Sequence, residues 1–73
     1  MIKEEIKVKI STDFIKLDSF LKLASAVSTG GHAKIVITGG EVKVNGTICT
    51  MRGKKLIVGD LVEFENQKYL VTV

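Results

Sequence analysis

The stretch LDSFLKLASAVSTGGHAKIVITGGEVKVNG, Leu17–Gly46, breaks its pattern twice, and those breaks decide the fold. Leu17, Phe20, Leu21 and Ala24 recur at i, i+3, i+4 and i+7, one apolar stripe of a helix. The pattern predicts a helix over FIKLDSFLKLASAV, residues 14–27, with Asp18 and Lys22 four apart as a favourable pair on another face. Ser28-Thr29-Gly30-Gly31 breaks it, and Thr29 can cap a second, short helix, GGHAKIVIT. Ala33, Val36 and Ile37 form the buried stripe of that helix, and Gly39-Gly40 stops it. From Glu41 the period falls to two. Val42 and Val44 point to one side of a strand, Glu41, Lys43 and Asn45 to the other, and Asn45-Gly46 is a two-residue hairpin signal.

Outward from this helix-turn-helix-strand unit, the chain reads as short strands. EEIKVKI alternates, with Ile6, Val8 and Ile10 on one side, and ends in the turn chemistry of Ser11-Thr12-Asp13. Thr47 to Thr50 returns as a strand and MRGKK follows as a basic loop. A turn in LIVGD precedes the strand LVEFE, a turn at Asn66-Gln67 follows, and KYLVTV pairs back as the last strand. The fold class is α+β: two short helices packed on a small, mainly antiparallel sheet of about five strands. Residues 1–73 are expected to form a single domain.

Composition narrows the function. The chain has 73 residues, 45% apolar and 26% charged, with no proline, which is the mix of a soluble globule. The apolar runs are far shorter than the roughly 20 residues of a membrane span. MIKEEIKVKI is too charged for a signal peptide, and Cys49 is the single cysteine, so a reducing, cytoplasmic location is expected. The net charge of +3 is unevenly spread: +1 over residues 1–29, +4 over 30–55 and −2 over 56–73. Such separation favours one electropositive face.

Catalysis finds no support. With one histidine, His32, and one cysteine, no zinc set can be assembled, and no group orients a Cys-His pair. Cys49 reads as half-buried, His32 as a surface residue, and Asp60, Glu63 and Glu65 as turn and strand-surface acids. No cofactor, metal or small-molecule substrate is expected. Gly30-Gly31 lacks the spacing of a nucleotide-binding loop, although free N–H groups beside Lys34 could hold a backbone phosphate.

The cations matter as a set: Lys16, Lys22, Lys34, Lys43, Arg52, Lys54 and Lys55. If both helices lay their stripes on the sheet, their outer faces would gather these residues into a phosphate-tracking surface. Phe20 and Phe64 read as core, which leaves little for a base-stacking platform, so recognition of shape and backbone is expected.

Leu17-Asp18 with Phe20-Leu21, Ala33 with the stripe after it, Gly40–Gly46 and Gly59-Asp60 with Val62 and Phe64 stand in an order that resembles the RNA-binding domain named after ribosomal protein S-four, the αL motif. The likeness spans about residues 16–64 and is strongest to small, stand-alone bacterial members. It implies binding of structured RNA, either ribosomal or transfer RNA, or of a ribosomal subunit, through the two helices and the adjoining strand. Position by position it points to Lys16 and Lys22, with Asp18 orienting them, to Thr29 and Lys34, and to Lys43 and Asn45. Arg52, Lys54 and Lys55 join on charge alone. Many members carry arginine where this chain has Lys16, and Ser-Arg where it has Thr29-Gly30. The competing expectation is an interaction module of the same fold that has lost RNA and binds protein through the edge of the C-terminal LVTV strand.

Overall fold

The computed structural model describes residues 5–73; the first four residues of the charged N-terminal run lie outside it. The elements run β1 (Ile6–Lys9), β2 (Ile15–Lys16), α1 (Leu17–Leu23), α2 (Gly30–Thr38), β3 (Val42–Val44), β4 (Thr47–Ile48), β5 (Lys55–Leu56), β6 (Leu61–Phe64) and β7 (Gln67–Thr72). Five strands form one sheet in the order β1-β7-β6-β3-β4, while β2 and β5 make a separate two-stranded ribbon. All pairings are antiparallel except β1 with β7. The α+β expectation is met. The LVTV edge is not an edge, because β7 is paired with β1 on one side and β6 on the other.

Alternation assigns the two faces of the sheet. Val42 and Val44, Val62 and Phe64, Tyr69 and Val71, and Val8 turn inward and are buried. Leu17, Phe20 and Leu21 of α1 and Ala33, Val36 and Ile37 of α2 close over them. Leu56 from the ribbon is fully buried in the same core. No polar side chain is buried among the described residues, so burial of apolar surface is not offset there by polar desolvation. Burial first, and Glu65 second, raise the Tyr69 pKa above the ordinary 10.0.

Helix α1 is shorter at both ends than the expected residues 14–27. Ile15 and Lys16 are extended and pair with Leu56 and Lys55. The leading helix N–H groups of Leu17 and Asp18 donate to the carbonyls of Lys54 and Arg52, at 2.9 and 3.1 Å. A distant loop thus caps a helix that has no side-chain cap at Lys16. At the other end Ser25 takes φ 58°, the Ser25 N–H donates to Lys22 O and the Ala26 N–H to Leu21 O. These two bonds form a Schellman stop. Helix α2 ends on the same pair of bonds, with Gly40 at φ 78° donating to Ile37 O and Glu41 to Val36 O. Glycine made the second stop readable, whereas serine hid the first.

The Asn45-Gly46 hairpin forms as expected, with φ 51° and 85°. The later turn is displaced by one residue from Asn66-Gln67. Glu65 and Asn66 are the turn, at φ 52° and 62°, and Phe64 pairs with Gln67. A two-residue loop of this kind needs positive φ at both positions, so Glu65 is drawn into it by the register of its neighbours.

Candidate nucleic-acid interface

The β2–β5 ribbon brings together residues almost forty positions apart in sequence. Ile15 and Leu56 are register partners that turn to the core, and Lys16 and Lys55 are partners that turn away from it. Two lysines directly opposite on a strand pair destabilise it. Arg52 and Lys54 stand in the loop whose carbonyls hold the start of α1, so that loop cannot drift from Lys16. Phe14, two residues before Lys16, lies on the same outward side, with the Lys55 ammonium 4.8 Å from its ring centroid. Lys16, Arg52, Lys54 and Lys55 are all exposed. None of them is paired with a carboxylate among the described residues. Asp18 does not neutralise them: its carboxylate accepts from the Ser19 N–H at 2.7 Å. It makes no bond to Lys22 either, so the expected pair is absent among the described residues.

Lys22, in the last turn of α1, and Lys34, on α2, are exposed on the helical layer, where the two helices pack against each other. Thr29 caps α2: its Oγ1 accepts from the His32 N–H at 3.0 Å. His32 is exposed, and Cys49 is half-buried against the core, as expected.

Two sequence-predicted residues fall elsewhere. Lys43 alternates with buried Val42 and Val44 and therefore stands on the outer face of the sheet, across from the helices. Its register partner on β6 is Glu63, which in turn faces Lys68 on β7. Glu41, Glu63 and Glu65 line a shallow hollow with Lys43, so its surroundings are acidic. The sheet separates Lys43 from the helix cations, because a period of two sends it to the opposite side from the valines. Asn45 is committed to the fold. Its Nδ2 donates to Asp60 Oδ1 at 3.1 Å, its Oδ1 accepts from the Leu61 N–H at 2.9 Å, and Asp60 Oδ2 accepts from the Ile57 N–H at 2.9 Å.

Sequence reasoning missed Phe14, which it placed inside a helix. The available signal was the alternation of Phe14-Ile15-Lys16 against Lys54-Lys55-Leu56, legible only once the two segments are known to pair. The remaining chemistry is sparse. Among the described residues no group of three metal-ligating side chains converges, and no helix is long and apolar enough to cross a membrane.

The fold is thus a helical pair on a small sheet, with a ribbon carrying Lys16 and Lys55 held at the start of the first helix. The S4 domain family model matches residues 8–72, and the chain belongs to that family. A Bacillus subtilis (strain 168) protein named "Probable ribosome maturation protein RlbA" is 47% identical over 58 residues, covering 80% of this chain and 82% of that protein. An Escherichia coli (strain K12) protein named "Putative RNA-binding protein YbcJ" is 38% identical over 50 residues, covering 68% and 71%.

Proposed function

We propose that this protein is a non-enzymatic binder of structured RNA, with ribosomal RNA or the ribosomal subunit as its target ahead of transfer RNA. The contact face is the ribbon and the adjoining helices: Lys16, Arg52, Lys54 and Lys55, extended by Lys22 and Lys34, with Thr29 holding the start of α2. Lys43 and Asn45 stand outside it. The observation that carries the reading is Lys16 opposite Lys55 with no acid paired to either among the described residues. Facing like charges disfavour such a pair, and a phosphate backbone lying across it would turn repulsion into binding. Family membership and the names of the two relatives support the choice of RNA, and the ribosome maturation name supports the ribosome. The test is recovery of RNA with the tagged protein from cells. The parent should retain nuclease-sensitive RNA enriched in ribosomal species, and Lys16→Glu/Lys55→Glu, folded by circular dichroism, should lose it. Equal recovery by the folded double variant would exclude this face.

A further inference from the structure

We infer that the Phe14 ring is a stacking platform for an unpaired base, so that this face takes RNA whose helix is interrupted by a bulge or loop rather than a continuous duplex. The inference rests on the reading that the basic ribbon binds RNA, and it specifies which kind. Phe20 is 0% exposed and Phe64 3%, but Phe14 is 41% exposed. A phenyl ring two-fifths exposed forgoes part of the burial that the other two obtain, and Phe14 is not among the residues packed in the core. Lys55 lies against it. Lys55 Nζ lies 4.8 Å from the ring centroid, within the range of about 6 Å at which an ammonium is held by a ring face. Lys16 shares that outward side two residues on, directly across from Lys55.

Cations alone read the phosphate backbone, whereas an aromatic ring set among cations reads a base face together with its phosphates. Within a continuous helix both faces of each base are already stacked, so the ring can receive only a base that has been splayed out. In the bound arrangement the base stacks on the exposed part of the Phe14 ring beside Lys55. The phosphates on either side of that base fall to Lys16 and to the Arg52–Lys54 loop. Stacking of this kind tolerates any base, so the site selects an interrupted shape and not a sequence.

The test uses the full chain and fluorescence anisotropy with two labelled RNA hairpins whose shared stem is closed by a non-nucleotide linker, one carrying a small adenine bulge and one fully paired. The parent should prefer the bulged hairpin. Phe14→Leu should weaken that complex roughly 5- to 150-fold, weaken the paired hairpin much less, and so erase the preference between them, which Phe14→Trp should restore. Replacing the bulged adenines by abasic sites should lower the parent's affinity by a similar factor, which needs no variant to fold. If Phe14→Leu and the abasic bulge both bind as tightly as their references while Lys16→Glu/Lys55→Glu abolishes binding, stacking is excluded and the basic face stands. If the parent binds neither hairpin, both readings fall.

Discussion

Lys16→Gln should make the fold more stable and the RNA complex weaker at once. Lys16 and Lys55 are direct cross-strand partners, which sets their Cβ atoms about 5 Å apart. Like charges directly opposite on a strand pair destabilise it, by roughly 0.2–1 kcal/mol on the scale of cross-strand pairs and less in salt. Removing one charge while keeping Lys55 over Phe14 returns that amount. For a domain of this size it is a rise of about 1–8 °C in Tm. The same change removes one phosphate contact. The slope of log K against log salt should fall by roughly 0.7–0.9, which corresponds to a loss of about 5- to 8-fold in affinity near 0.1 M salt. The assay is anisotropy titration of a ribosomal RNA fragment over a salt series, alongside thermal melts of the free protein. An unchanged salt slope would refute the contact. A fall in Tm would refute the claim that the lysine pair is a strain kept for binding.

Two further substitutions test the frame that holds the site. Ser25 occupies the left-handed position that Gly40 fills at the other helix stop, so Ser25→Gly should stabilise the protein by about 0.5–1 kcal/mol in chemical denaturation, without altering RNA affinity. Asn45→Ala removes the clasp on Asp60 and Leu61 and leaves alanine at φ 51°, so it should cost roughly 1–3 kcal/mol. The folded fraction of that variant should still bind RNA as the parent does; a specific loss of affinity would return Asn45 to the interface.

Most of the architecture was legible because it follows from local pattern. The stripes of Leu17, Phe20 and Leu21 and of Ala33, Val36 and Ile37 are period-3.6 signals, and the buried faces of β3, β6 and β7 are period-2 signals. Thr29 as a cap and Asn45-Gly46 as a turn are local chemistry as well. What escaped depends on contacts between distant segments. Ile15-Lys16 leaves the helix because Lys55-Leu56 pairs with it, and no local preference of Phe14-Ile15-Lys16 announces that partner. Ser25 and Glu65 adopt positive φ under the demands of flanking structure, against their own preference. The candidate site divided along the same line. Charge counting found the lysines of the ribbon, but it gathered Lys43 with them, and only the sheet shows that a side chain alternating with Val42 and Val44 faces the other way. The interaction-module alternative loses its proposed strand edge for a topological reason, since β7 lies between two partners.

Amide chemical-shift mapping is the most direct test of where the polyanion lies. Adding a ribosomal RNA fragment to isotope-labelled protein should shift Phe14 to Asp18 and Met51 to Leu56, with smaller changes at Lys22 and Lys34, while Lys43, Glu63 and Lys68 stay in place. Shifts concentrated on Lys43, Glu63 and Lys68, with the ribbon silent, would contradict the account.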